Sequence, residues 1–189
     1  YTLPSSKAHE RWRDLASKIK SATEHAHHTA DIEAARGVFK SASDAIVDLE
    51  KSFGHAGDVT HRIAFCPMAA DGKGAAWLQL AEKIENPYYG ASMSNCGEIR
   101  SEHAGATAAE NVSKRPLDTK PAGEAATVSP DEFRKAIRPV YDAYLALHRA
   151  LAGDDLKGAK SALARLGEAA SGVTVRPTDG ETWTRVRAV

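Results

Sequence analysis

The 189-residue chain is short of the side chains that usually build cores: Leu, Ile, Val and Phe together number 33, and aromatic residues make up 6%. It has only two cysteines and two methionines. It also lacks net charge, because 25 Lys and Arg balance 25 Asp and Glu. That balance excludes a generic binder of nucleic acid or anionic membrane, which needs a basic surplus. No run approaches the roughly 18 apolar residues of a membrane span. The opening Tyr1-Thr2-Leu3-Pro4 shows neither an initiator Met nor a signal peptide, so the chain reads as a mature or trimmed piece. Scarcity of large apolar residues signals disorder only when net charge is high, and here a folded chain of one domain, or two small ones, is expected. What is abundant is Ala, at 35 residues. Ala is the best helix former and lets helices approach closely, so the composition predicts helices around thin cores.

Periodicity places them. Ser5 or Ser6 caps a first helix with Trp12, Leu15, Ile19, Ala22 and Ala26 on one face, fading at His27-His28-Thr29. Asp31 opens a second, with Ile32, Ala35, Phe39, Ala42, Ile46, Leu49 and Phe53 alternating at three and four until Gly54. Ser129-Pro130-Asp131-Glu132 starts another, carrying Phe133, Ile137, Val140, Tyr144, Leu147 and Leu151, with Pro139 set to kink it or shift its start. After Gly153, Asp154 or Asp155 caps a last helix lined by Leu156, Ala159, Leu163, Leu166 and Ala170. Residues 55–99 lack this pattern. There, 61–66 reads as a short strand cut off by Pro67, 71–74 and 86–90 as turns, and 76–84 as a helical turn or two. The expected fold is therefore all-α. Two helical hairpins, 5–53 and 129–171, complete one four-helix bundle, with a small irregular Cys/Met-containing module attached. The divisions are 1–99 for hairpin and module, 100–128 for a flexible linker, and 129–189 for the second hairpin and an extended tail.

Both methionines flank the two cysteines, in Cys66-Pro67-Met68 and Met93-Ser94-Asn95-Cys96. Thiolate and thioether are the soft donors that select Cu(I) or Ag(I), which makes Cys66, Met68, Met93 and Cys96 candidate metal ligands, with His61 as a tentative fifth. On an alternating strand His61 points opposite to Cys66. The same cysteines also suit a disulfide in an oxidising compartment, closing a loop worth roughly 3 kcal/mol. Inert packing and a metal-free redox pair are further alternatives. His25, His27 and His28, with His55 after the second helix, read as a solvated His-rich turn, although His25 and His28 at i, i+3 can face one ion. Trp12, Trp77, Tyr88 and Tyr89 read as core anchors. No nucleophile elbow, phosphate loop, haem-attachment sequence or paired-carboxylate site is present, so no enzyme is expected.

Four segments resemble one bacterial family: Ala64-Phe65-Cys66-Pro67-Met68, residues 72–79 (Gly-Lys-Gly-Ala-Ala-Trp-Leu-Gln), residues 84–90 (Ile-Glu-Asn-Pro-Tyr-Tyr-Gly) and residues 93–97 (Met-Ser-Asn-Cys-Gly). The helices at 31–54 and 129–166 are similar to it too. It is an extracytoplasmic helical domain of uncharacterised function, found with periplasmic adaptor (membrane fusion) subunits of copper/silver-type heavy-metal efflux pumps. The resemblance implies periplasmic, non-catalytic metal handling, either capture of Cu(I) or a similar ion or docking beside a pump or enzyme that captures it, with Cys66, Met68, Met93 and Cys96 at the signature positions. An efflux or enzyme complex is the implied partner. A structural or interaction module with a Cys66–Cys96 bond is the alternative. In the family, the helix pair resembling 129–171 comes first; here the order is reversed. That implies a circular permutation, a fragment spanning two repeats, or a rearranged chain, with head-to-tail self-association as one outcome.

Overall fold

The computed structural model describes residues 6–24, 29–106 and 127–178. Ser6, in extended backbone, accepts a hydrogen bond from the His9 amide and starts helix α1 (Lys7–Thr23). Asp31 does the same for α2 (Ile32–Phe53) by accepting from Ala34, and Gly54 ends it at φ +66°. Ser129 and Glu132 form a reciprocal capping box at α3 (Pro130–Ala136). Pro139 shifts the next start rather than kinking one long helix. The helix stops at Ile137, and α4 (Arg138–Ala152) begins with Pro139 in its first turn, where a missing N–H costs nothing. Asp155 then caps α5 (Leu156–Gly172).

The stripes expected from periodicity are the ones buried, including Trp12, Leu15 and Ile19 on α1, Phe39, Ile46 and Phe53 on α2, and Leu147 and Leu151 on α4. α1 packs on α2 and α5, α2 on α4, and α4 on α5, so the two hairpins bury their stripes against each other within one chain. Ala35, Ala42, Ala159 and Ala162 are buried in these stripes, and their lack of bulk lets a few aromatic side chains fill the centre. Trp12 and Phe53 meet Phe133 at 5.5 and 5.0 Å between ring centroids, and Phe39 stacks on Tyr144 at 5.4 Å.

The expectation of an all-α protein is overturned. A three-stranded antiparallel sheet, order β2-β1-β3, is built from β1 (Thr60–Cys66), β2 (Ala75–Gln79) and β3 (Glu98–Ala104). A second, parallel pair joins β4 (Thr127–Val128) to β5 (Arg176–Pro177), and the protein is mixed α/β. Two of these strands run against their local sequence preference. Residues 75–79 carry Ala-Ala-Trp-Leu-Gln, a helical composition, yet pairing with β1 overrides that weak preference. Residues 98–104 contain charges at alternate positions and one medium-sized apolar residue, Ile99, so the strand looks like linker until β1 supplies its partner. The rest of the expected linker, 107–126, lies outside the described residues, as do residues 179–189 of the expected tail and the histidines at 25, 27 and 28.

A polar stripe on α2 attaches the sheet to the helices. Arg36, Ser43 and Glu50 are all buried and spaced by seven, which puts them on one line of the helix. Ser43 Oγ donates to the Ala76 carbonyl at 3.0 Å and pairs with the Tyr144 hydroxyl at 2.6 Å, and that hydroxyl accepts from the Leu78 amide at 3.1 Å. Side chains of α2 and α4 thus satisfy backbone groups of an edge strand that would otherwise be open. Replacing Tyr144 with Phe removes the acceptor and leaves the Leu78 N–H buried without a partner. The expected loss is about 1–3 kcal/mol in a urea melt.

His148 on α4 is buried and donates from Nε2 to the Glu85 carbonyl at 2.8 Å. Burial outweighs that contact and holds its pKa at about 4. Protonation therefore favours the unfolded chain, where an imidazole titrates near 6.5, and stability falls as pH drops below that value. Between pH 7.5 and 5, His148 is expected to remove about 2 kcal/mol. The measurement is the difference between urea melts at the two pH values, and His148→Gln should cancel that part of it.

Candidate functional site

β1 sets two groups of side chains on opposite faces of the sheet. Alternation and register put His61 and Ile63 with Leu78 on the face toward the helices, and Ala64 and Cys66 with Trp77 on the other. Segment 80–97 covers that second face. Tyr88 lies edge-on to Trp77 at 6.0 Å, and Cys96 reaches back to Cys66.

Cys66 is fully buried at the end of β1; Cys96 is half-buried. Their sulfurs lie 3.1 Å apart and both are free thiols, about 1 Å beyond the bonded length of about 2.05 Å. The hydrogen bond shared with Cys66 raises the Cys96 thiol above its ordinary pKa, with burial adding to it, so Cys96 keeps its proton at neutral pH.

Cys96 is positioned from elsewhere in the chain. Asn86, fully buried, donates from Nδ2 to the Cys96 carbonyl at 2.6 Å and accepts from the Tyr88 amide at 2.8 Å, while its own amide donates to the Ser94 carbonyl at 2.8 Å. Arg36 donates from Nε to the Pro87 carbonyl at 3.0 Å and holds Asp154, whose other oxygen accepts from the Ala91 amide at 2.9 Å. Next to Cys96, Gly97 sits at φ +132°. A Cβ there would stand 2.8 Å from the Phe65 carbonyl oxygen and 3.0 Å from the Trp77 ring, so only glycine lets the loop lie this close to β1. Arg100, the extra residue of a bulge in β3, has no partner on β1 and places its guanidinium 3.5 Å from the centre of the Phe65 ring.

The other residues expected at a sulfur site are placed differently. Met68 is 53% exposed, with its carbonyl accepting from the Tyr89 hydroxyl at 2.6 Å. Met93 is half-buried, and its carbonyl accepts from the Cys96 amide at 3.1 Å. His61 is not with the cysteines. It lies on the helix side, as alternation requires, bonded through Nδ1 to Glu50 Oε2 at 2.9 Å.

His61 belongs to a second cluster. Glu50 Oε1 meets His55 Nδ1 at 2.8 Å, and His55 Nε2 meets the Val59 carbonyl at 2.8 Å. Both nitrogens of His55 therefore face atoms that only accept, which makes it an imidazolium. The two imidazoles stack at 3.5 Å and 18°, with Tyr141 edge-on to His61 at 5.0 Å. Burial pushes the Glu50 carboxyl upward, but hydrogen bonds and charge from both histidines outweigh it and hold it at about 2. For His55, burial is likewise outweighed, by Glu50 and the Val59 carbonyl, and its pKa is raised. For His61 burial prevails, with the charges of His55 and His103 adding to it, and its pKa is lowered. One carboxylate thus holds one charged and one neutral imidazole, and these three side chains bring their donor atoms within 4.8 Å of one another. By sequence alone His55 belongs with the solvated histidines, and Glu50 is one acid among many on a long helix. The available signal was the spacing of seven from Arg36 through Ser43 to Glu50.

A family model described as a protein of unknown function (DUF3347) matches residues 2–58. The match covers α1 and α2 and ends before β1, so it contains Arg36, Ser43, Glu50 and His55 but neither cysteine, and nothing in it ties the chain to copper or silver efflux adaptors. No curated protein and no solved structure matches the chain. Among the described residues, no helix is long and apolar enough to cross a membrane.

Asn86→Ala tests how Cys96 is held. It leaves the Cys96 carbonyl and the Tyr88 amide unpaired, with an expected cost of about 2–3 kcal/mol in a urea melt. Cys96 should also react several-fold faster with a disulfide reagent, read from the rate of thiol release.

Proposed function

We propose that the protein is a non-enzymatic, extracytoplasmic domain that binds a soft monovalent ion of the Cu(I)/Ag(I) class through Cys66 and Cys96. Its place is in metal handling, beside an efflux or enzyme complex. The observation that carries this reading is the pair of free thiols 3.1 Å apart, one buried and one half-buried. Seating an ion between them requires a sulfur separation nearer about 3.8 Å, given metal–sulfur bonds of about 2.3 Å. Cys96 supplies that movement, because it lies on a loop while Cys66 is fixed in β1. The ion must displace thiol protons, so binding releases protons and strengthens as pH rises. Met68 and Met93, each within three residues of a cysteine, are the thioethers available to complete the shell.

The same separation favours a second reading, a structural or interaction module whose cysteines close to a disulfide, since 3.1 Å is also about 1 Å from the bonded length. Head-to-tail association remains a separate proposal, answered by the mass of the protein in solution.

Anaerobic titration of the reduced protein with Cu(I) separates the readings. The metal reading expects one tight equivalent, proton release, and loss of at least a hundredfold in affinity in Cys66→Ser. Met68→Leu with Met93→Leu should weaken binding about tenfold. Unchanged affinity in that double variant makes the thioethers packing residues, and no Cu(I) uptake by the reduced protein leaves the disulfide module.

A further inference from the structure

We propose that His61 and His103, neighbours across β1 and β3, form a second metal site, one for a divalent first-row ion such as Zn²⁺ or Cu²⁺. In it Glu50 fixes His61 in the tautomer that leaves Nε2 open. The inference does not rest on the dithiol reading.

It follows from an inventory of nitrogen atoms. Each oxygen of Glu50 already accepts from one histidine, and both nitrogens of His55 are engaged, one by Glu50 and one by the Val59 carbonyl. The two stacked rings commit their Nδ1 atoms to the two oxygens of one carboxylate, so the donor atoms that lie within 4.8 Å of one another are already bonded among themselves. Glu50, His55 and His61 are therefore a saturated unit and not themselves the ligand set. One donor is left over. His61 commits Nδ1–H to Glu50, so its neutral ring carries a lone pair on Nε2. No hydrogen bond among the described residues reaches that atom, and it is not sealed in: the buried side-chain nitrogen without a partner among them is His9 Nδ1, so the 2% exposure left to His61 gives Nε2 its contact with solvent. An imidazole tied to a carboxylate through one nitrogen, with the other free, is the arrangement that metal-binding histidines show.

A second imidazole stands beside it. His103 is the direct antiparallel partner of His61, so the two side chains leave the same face with Cβ atoms about 4.5–5.5 Å apart. His103 is half-buried, and Ser101 Oγ bonds its Nε2 at 3.0 Å. That hydroxyl rotates and can donate or accept, so it fixes neither tautomer of His103. Two imidazole nitrogens with water completing the shell suit borderline ions, in contrast to the soft sulfur donors on the other face.

The test is a Zn²⁺ titration of the full chain, followed by imidazole ¹H–¹⁵N correlation spectra. Without metal, His61 should show a protonated Nδ1 and an unprotonated Nε2. With Zn²⁺, the Nε2 signal should shift together with those of His103. His103→Ala, at a half-buried position, should keep the melting temperature near that of the parent and weaken the affinity read at His61 at least tenfold. The His61 shift should persist in a Cys66→Ser, Cys96→Ser variant. An Nε2 that is protonated or unmoved at saturating Zn²⁺, unchanged affinity in His103→Ala, or a shift that vanishes with the cysteines overturns the proposal. Loss of Cu(I) binding in Cys66→Ser leaves it intact.

Discussion

Three buried polar side chains on a single helix determine how the two parts of this protein fit together. Arg36, Ser43 and Glu50 repeat every seven residues along α2, and each grips a different piece of the sheet region: the 86–91 turn, β2 and β1. The sheet is too small to hold its place by apolar contact alone. Its central strand contributes Ile63, Ala64 and Cys66 to the core, and β2 contributes Ala75, Trp77 and Leu78. Apolar contact also tolerates sliding, whereas a buried donor set opposite its acceptor does not, because a one-residue slip leaves both unpaired at a cost of about 1–3 kcal/mol each. The stripe thus fixes register as well as attachment.

The charges in this stripe are balanced close to where they sit. Arg36 is neutralised by Glu33 and Asp154 at one end of α2, and Glu50 by His55 at the other. Buried pairs of this kind contribute little net stability against an apolar replacement, yet are costly to break from one side. Their effect is therefore on which arrangement forms. The Asp154 link also joins the α4–α5 turn to the loop that carries Cys96, so the placement of a thiol depends on residues from both hairpins.

Much of the helical half was legible in the sequence. Asp31 and Ser129 cap where expected, Ser6 and Asp155 are the ones that cap out of the two pairs offered, and the buried faces of α1, α2, α4 and α5 follow the stripes read from spacing, with Ala26 outside the described residues. The strand at 60–66 was also readable, because Pro67 follows a β-branched and aromatic run. The sheet as a whole was not. β2 is written in residues that favour helix, and β3 in residues that favour solvent, so each takes its form from β1 rather than from local preference. At the site, the pairing of Cys66 with Cys96 was visible in the distribution of sulfur along the chain, and the separation of His61 from them followed from strand alternation. The role of Glu50 was hidden because a single acid within a long helix looks like any solvated position, and only the fold brings His55 and His61 to it.

β1 also serves as a septum. Sulfur lies on its loop side and imidazole on its helix side, with the backbone of a central, doubly paired strand between them. A cation held by the thiols cannot draw a nitrogen donor through that wall, nor can one at the imidazoles draw in a thiolate. Two donor sets of different chemistry, thiol and imidazole, are kept apart here by the thickness of one polypeptide chain.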